Sequence, residues 1–369
     1  MTIPAPSHVR GIAPYQAGKP VSELAREYGL DERSIVKLAS NENPLGAPES
    51  ARAAMAEAAG ELARYPDSNG FALKAALAQR LDVPRDWITL GNGSNDILEL
   101  AAHAIAQPGA SAVYSQYAFA VYALATQAVG ARAIVVPAIE LGHDLDAMAA
   151  AIAPDTRLVF VANPNNPTGT FLAAERVEAF LARVPPDVVV VYDEAYTEYL
   201  PPEQRYDAIA WVRRHPNLVV SRTFSKAYGL AGLRVGYGVA QPELTDLMNR
   251  VRQPFNVNSM AQAAAIAALS DQGYLERSYA LNRDGMARLT AAFACLGLRW
   301  VESRGNFVLV EVGDAAAVYE SLLRDGVIVR PVAGYGLPTW LRVSIGLPEE
   351  CDRFVEALGR ALGRGPAAR

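Results

Sequence analysis

Lys226 is one of only four lysines in a chain of 369 residues that otherwise carries its positive charge on arginine. It lies in Ser221-Arg-Thr-Phe-Ser-Lys226-Ala-Tyr-Gly-Leu230, just past a short apolar run and among Phe224, Tyr228, Leu230 and Leu233. Burial in such company disfavours the ammonium form, so the amine is freed to attack a carbonyl and form a Schiff base. The plain alternative is a lysine that snorkels to water from a helix start. Asp193 closes a run of four valines and a tyrosine, Val188 to Tyr192. A carboxylate there is costly without a cationic partner, either an arginine or the protonated nitrogen of a pyridine ring. The second partner would keep the ring electron-poor and able to hold carbanion charge. Asn166 and Tyr196 suit hydrogen bonds to a ring phenolate, and Tyr117 suits stacking on the ring face.

A third group could hold an anion. In Leu90-Gly-Asn-Gly93-Ser94-Asn95-Asp96, two glycines and a serine precede an apolar helical repeat, which describes a helix start with free backbone N–H groups. Arg234, with the hydroxyls of Thr223 and Ser225, could add a guanidinium fork on a phosphate. An ordinary helix cap is the alternative. No G-x-G-x-x-G fingerprint occurs, which removes the main support for a nicotinamide cofactor. His8, His103, His143 and His215 are dispersed without metal-ligand spacing, and there is no G-x-S-x-G elbow, so neither a metal centre nor a serine hydrolase is expected.

These residues need elements to position them. Apolar runs at Ser111 to Tyr114, Ala133 to Pro137, Leu158 to Ala162, Val188 to Tyr192, Leu218 to Ser221 and Val235 to Val239 alternate with alanine-rich helical stretches. Runs buried on both faces and separated by helices predict an α/β fold with a largely parallel sheet wrapped by helices. Ligands of such sheets gather beyond the carboxyl ends of the strands. Asn163 to Gly169, Asp193 to Tyr196 and Arg222 to Lys226 each follow such a run. After Met260 the pattern becomes strand, helix, strand, strand, helix, which predicts a small α+β domain. The expected division is residues 1–39 as a segment joining the small domain, 40–257 as the large domain and 258–369 as the small one.

Composition bounds the function. Hydrophobic residues at 51% and charged residues at 20% describe a folded soluble chain rather than a disordered one. A net charge of −5 offers no basic stripe for nucleic acid. Two cysteines, Cys295 and Cys351, are too few for a disulfide framework, the amino terminus lacks a signal peptide's apolar core, and no apolar run is long enough to span a bilayer. The expectation is a cytoplasmic protein with no membrane or nucleic-acid partner.

Taken in order, Gly11 to Tyr15, Leu38-Ala-Ser-Asn-Glu-Asn43-Pro44, Arg64-Tyr65-Pro-Asp67, Asn165 to Gly169, Asp193 to Tyr196, Ser225-Lys226, Gly229 to Arg234, Gly305-Asn-Phe307 and Leu341 to Gly346 resemble the fold type I pyridoxal-phosphate aminotransferases. Within them the chain looks like the histidinol-phosphate aminotransferase family. The resemblance implies a large domain built on a mostly parallel seven-stranded sheet sandwiched by helices, a small α+β domain, and pyridoxal 5'-phosphate as cofactor. It implies that Lys226 bonds the cofactor and shuttles a proton, that Asp193 meets the ring nitrogen, and that Asn166 and Tyr196 meet the ring oxygen. By the same resemblance Gly93, Ser94, Asn95, Thr223, Ser225 and Arg234 hold the phosphate and Tyr117 covers the ring. Tyr65 would reach the cofactor of the partner subunit in a homodimer with shared sites. Tyr15, Asn43, Arg330 and Arg342 would bind substrate. The implied reaction moves an amino group from L-histidinol phosphate to 2-oxoglutarate. An aromatic amino-acid aminotransferase, a related decarboxylase and a cofactor-binding sensor are the alternatives.

Overall fold

The computed structural model describes residues 3–15 and 18–364, so the outer ends of the first and third expected units lie outside the described residues. Twelve strands occur among them: β1 (Val36–Lys37), β2 (Ile88–Gly91), β3 (Ser111–Ser115), β4 (Arg132–Val136), β5 (Thr156–Ala162), β6 (Val189–Asp193), β7 (Leu218–Thr223), β8 (Gly236–Val239), β9 (Phe307–Glu311), β10 (Val327–Ile328), β11 (Arg330–Pro331) and β12 (Trp340–Ser344). Seven form one sheet in the order β2-β8-β7-β6-β5-β3-β4. Neighbours in it pair in parallel except at β8, which runs antiparallel to both β2 and β7.

The period of two along the strands explains why this sheet is covered on both sides. Val159 and Val161 of β5 enter one core, while Leu158, Phe160 and Ala162 enter the opposite one. Val190 and Tyr192 of β6 face the first core, and Val189 and Val191 the second. Every residue of β6 is buried. This central strand therefore carries no charged side chain before Asp193 at its end, whereas the edge strand β4 is exposed over most of its length.

Six strands match the expected runs to within a few residues. The seventh, β2, was expected only as the lead-in to a helix; its four residues end on Gly91 and give too short a run to read as a strand. Further along, β9, β11 and β12 form an antiparallel sheet in the order β11-β12-β9. β1 pairs in parallel with β10 in a separate two-stranded sheet, whose Val36 and Val327 share a core with the three-stranded one. That core, with Leu289, Phe293, Val308, Val343 and Phe354, is separate from the two that flank the large sheet.

The helix Ser259–Ser270, expected in the small domain, packs instead into the large one. Its Ala261, Ala264, Ala265 and Ala268 are buried in the same core as Ala51, Leu73 and Leu77. Methyl side chains allow close helix approach, and that packing rather than sequence position decides where the helix belongs. The 24-residue helix Gln272–Cys295, about 36 Å long, makes the passage between the cores. Replacing Ala265 by Leu inserts three carbons where there is no room and is expected to cost about 1–3 kcal/mol. A lower denaturant midpoint with unchanged slope checks this; an unchanged midpoint would show that the helix does not pack as described.

Candidate active site

The anion end of the site is built from a backbone turn and one arginine. Gly93 precedes the helix Ser94–Ile105 with φ 79° and ψ 169°, a conformation that favours glycine. A Cβ at Gly93 would sit 2.5 Å from Arg234 Nη2, and one at Gly236 would sit 2.5 Å from Ser94 N, so both glycines let charge and backbone approach the turn. Arg234 itself has φ 57°, and its Nη1 donates to Ala231 O at 3.0 Å and Ser225 Oγ at 3.4 Å. Ser225 N donates to Thr223 Oγ1 at 3.0 Å, which folds the loop after β7 into a cup. A helix amino terminus, a guanidinium and two hydroxyls facing one space constitute a phosphate cradle.

Asp193 ends β6 and lines the same cavity, of about 270 Å³. Its Oδ2 accepts from the Tyr122 hydroxyl at 2.9 Å, and its Oδ1 is buried without a partner. Burial pushes the carboxyl up to about 6, against the lowering effect of the Tyr122 hydrogen bond, of the Ala195 backbone N–H and of Lys226. The next residue, Glu194, pairs with Arg222 at 2.8 Å, so the plain alternative of an arginine partner describes Glu194 and not Asp193. An acid held with one bare oxygen towards a cavity is suited to an N–H donor supplied by a ligand.

Lys226 Nζ donates to Ser40 O at 3.1 Å. Burial first, then the charges of Arg342 and Arg234, bring its amine down to about 8. Tyr196 accepts at Oη from Asn41 Nδ2 at 2.9 Å, and burial raises its phenol to about 12. Asn166 Oδ1 accepts from Arg342 Nη1 at 2.6 Å, which leaves its amide N–H groups as donors for a ligand oxygen. Arg342 also donates from Nη2 to Ala39 O at 2.7 Å, and its Nε is buried with no partner. Arg330 stands opposite Arg342 in the β11–β12 register, with its guanidinium 5.7 Å from the Tyr15 ring. Tyr15, Arg330 and the buried Arg342 line the same cavity and offer a second set of donors suited to an anion.

Most of the expected site residues meet here: Tyr15, Ser94, Asn95, Asn166, Asp193, Tyr196, Thr223, Ser225, Lys226, Arg234, Arg330 and Arg342 all line the one cavity, with Gly93 behind Arg234. Three do not. Tyr117 lies away from it, against Leu309, Val332, Leu337 and Trp340, because the chain still turns after β3 and the helix begins only at Ala120. Phe119, two residues on, lines the cavity instead. Asn43 donates to Ala227 O at 2.9 Å and Ser278 Oγ at 2.8 Å, anchoring the segment behind Lys226, while Asn41 takes the cavity position. Tyr65 is 83% exposed and stacks on Phe255 with centroids 4.6 Å apart, outside this chain's own cavity. Tyr122 and Phe119 were not expected in the site; Phe119 is the non-helical cap just before the helix Ala120–Ala128 and Tyr122 lies in that helix's first turn, so no helical period in the sequence pairs them.

A phosphate cradle, an acid with one bare oxygen, donors for a ring oxygen and a buried amine fit pyridoxal 5'-phosphate group by group. The family model for aminotransferase class I and II matches residues 33–358. The chain belongs to the class I and II aminotransferases. It is 70% identical to histidinol-phosphate aminotransferase 1 of Cupriavidus pinatubonensis, over 97% of this chain and 96% of that one. It is 69% identical to histidinol-phosphate aminotransferase 2 of Ralstonia nicotianae, over 98% of each. Among solved structures it resembles histidinol-phosphate aminotransferase of Sinorhizobium meliloti in complex with pyridoxal-5'-phosphate, with a TM-score of 0.89, 30% identity and 98% of both chains covered.

An amine near 8 is mostly protonated at neutral pH and is freed as pH rises through that value. The rate at which added pyridoxal 5'-phosphate attaches to the cofactor-free aminotransferase is therefore expected to climb with a midpoint near 8. Stopped-flow absorbance across pH checks this, and a midpoint at 10.5, that of a solvated lysine, would contradict it.

Proposed function

We propose that this chain transfers the amino group of L-histidinol phosphate to 2-oxoglutarate, giving imidazole-acetol phosphate and L-glutamate, with pyridoxal 5'-phosphate held in the cavity between the large sheet and β11–β12. The observation that carries the reading is the meeting of Lys226, the unpartnered Asp193 Oδ1 and the Arg234 cradle in one space. Full-length relatives 70% and 69% identical that bear this activity's name support the donor.

When bound, pyridoxal 5'-phosphate supplies an aldehyde and an electron-poor ring that can take up an electron pair from the substrate's α-carbon. The chain does the rest. The helix start at Ser94 and Arg234 grip the phosphate, and Asp193 Oδ1 holds a proton at the ring nitrogen. Asn166 and Tyr196 would donate to its ring oxygen, and Phe119, which lines the cavity where Tyr117 does not, would take the ring-covering role expected of Tyr117. Lys226 Nζ removes the proton from the substrate α-carbon and later returns one, a shuttle that its lowered pKa suits. Arg330, Arg342 and Tyr15 receive the substrate's phosphate or the carboxylates of the keto acid.

The active form is a homodimer in which Tyr65 of each chain completes the partner's site. Tyr65, Phe255, Leu62 and Phe71 are exposed apolar groups on one chain, in keeping with a covered face. No helix among the described residues is long and apolar enough to cross a membrane, and we place the protein in the cytoplasm. The domain division is the expected one with its second boundary moved to the start of the helix Gln272–Cys295.

Incubation with 2-oxoglutarate and a panel of histidinol phosphate, phenylalanine, tyrosine and aspartate, followed by glutamate assay, tests the substrate. The highest kcat/KM is expected for histidinol phosphate. A preference for phenylalanine would replace the donor, and carbon dioxide release without acceptor would replace the reaction.

A further inference from the structure

Tyr122 is fully buried on the helix Ala120–Ala128, and its hydroxyl donates to Asp193 Oδ2 at 2.9 Å. The ring lies flat on Phe160 of β5, with centroids 4.7 Å apart and planes 3° from parallel. Phe119 meets it edge-on at 6.0 Å, and Thr126 Oγ1 donates to the Tyr122 carbonyl at 2.7 Å. Ring and backbone are both pinned, so the phenol reaches the carboxylate from one fixed direction. Phenylalanine would fill this space as well. The buried hydroxyl carries a desolvation cost that its bond to Asp193 must offset.

We propose that Tyr122 is a positioning residue: by occupying Oδ2 from within the core it sets the rotation of the Asp193 carboxylate, so that Oδ1 alone faces the cavity, and it favours the charged form of that acid. The inference rests on the reading above, in which Oδ1 meets the ring nitrogen of pyridoxal 5'-phosphate. The Ala195 backbone N–H, just past the end of the strand, also favours the charged carboxyl, but no side chain of β6 fixes it, and a turning carboxylate would offer its oxygens to the cavity in varying geometry. Burial and the adjacent carboxylate hold the Tyr122 phenol well above its ordinary range, so it remains a donor across working pH. The other charged and titratable groups about Asp193 are Lys226, which favours its charged form, Glu194, which opposes it, and Tyr196. Glu194 is engaged by Arg222. Phe119, which caps this helix, and Tyr122 within it both line the cavity, and of the two it is Tyr122 that reaches the acid.

The test uses the full chain, with and without pyridoxal 5'-phosphate, as wild type and Tyr122→Phe. In the cofactor-free chain the Asp193 carboxyl, followed by carbon-13 NMR and assigned with Asp193→Asn, is expected to titrate about tenfold less acidic in the variant, the effect of one hydrogen bond to a charged group. The dissociation constant for pyridoxal 5'-phosphate is expected to rise about tenfold at pH 7, and kcat to fall more than KM rises. A change in stability alone, with the Asp193 midpoint and cofactor affinity unmoved, would reduce Tyr122 to a packing residue and overturn the proposal. A second measurement needs no core variant: in the wild type the Tyr122 Cζ resonance should shift with the Asp193 midpoint and lose that shift in Asp193→Asn. An invariant Cζ resonance would overturn the proposal too. If the wild-type chain took up no pyridoxal 5'-phosphate, the cofactor reading would fail; an unmoved midpoint in a chain that does bind it would defeat the role of Tyr122 alone.

Discussion

Asp193 is a buried carboxylate at the end of a strand made of valines and a tyrosine, and only one of its oxygens has a partner. A fold that maximised its own stability would not keep such a group, since an unpartnered buried polar atom costs about 1–3 kcal/mol. The same holds for Arg342, whose Nε is bare, while the amine of Lys226, bonded only to Ser40 O, is brought down to about 8 by burial. These three side chains line one cavity. Their common need is a ligand that carries a proton donor for the acid, a carbonyl for the amine and negative charge for the guanidinium, so the site is unfinished as protein chemistry and complete only as a receptor.

The architecture explains how so many unsatisfied groups survive together. The central strands β5 and β6 are sealed on both faces by separate cores, and the polar groups of the site stand beyond their carboxyl ends, where loops after β5, β6 and β7 converge. The second sheet closes the cavity from the other side through a chain of hydrogen bonds. Asn41 N donates to Ser344 Oγ at 2.8 Å, Ser344 Oγ donates to Asn41 Oδ1 at 2.9 Å, and Asn41 Nδ2 reaches Tyr196. Asn306 Nδ2 fastens the same segment at Asn41 O, at 3.0 Å. Tyr196 and the strand that carries Arg342 are thereby referenced to one another across two cores.

Much of this was legible in the sequence because its signals are local. A lysine where arginine is the habit, an acid after four valines and two glycines before a helix each point to chemistry without any knowledge of the fold. What was not legible depended on direction. Tyr117 and Phe119 differ only in which of them the turn after β3 aims inward. Asn41 and Asn43 exchange roles because Asn41 has φ 55°, a left-handed turn that no neighbouring glycine announces. Tyr122 among alanines reads as core, which it is; only the structure shows that its hydroxyl has found an acid. The helix Ser259–Ser270 carries small residues on all sides, so its sequence does not say which core it serves.

Of the four lysine amines, that of Lys226 is the one placed for covalent chemistry. Lys19 pairs with Glu23 and Glu27, Lys37 pairs with Glu42, and Lys74 lies apart from the cavity. Borohydride reduction of the chain loaded with pyridoxal 5'-phosphate, followed by digestion and mass spectrometry, reads the attachment point directly. The account predicts a label on the peptide that contains Lys226 and on no other lysine; label at Lys19, Lys37 or Lys74 in its place, or none at all, would contradict it.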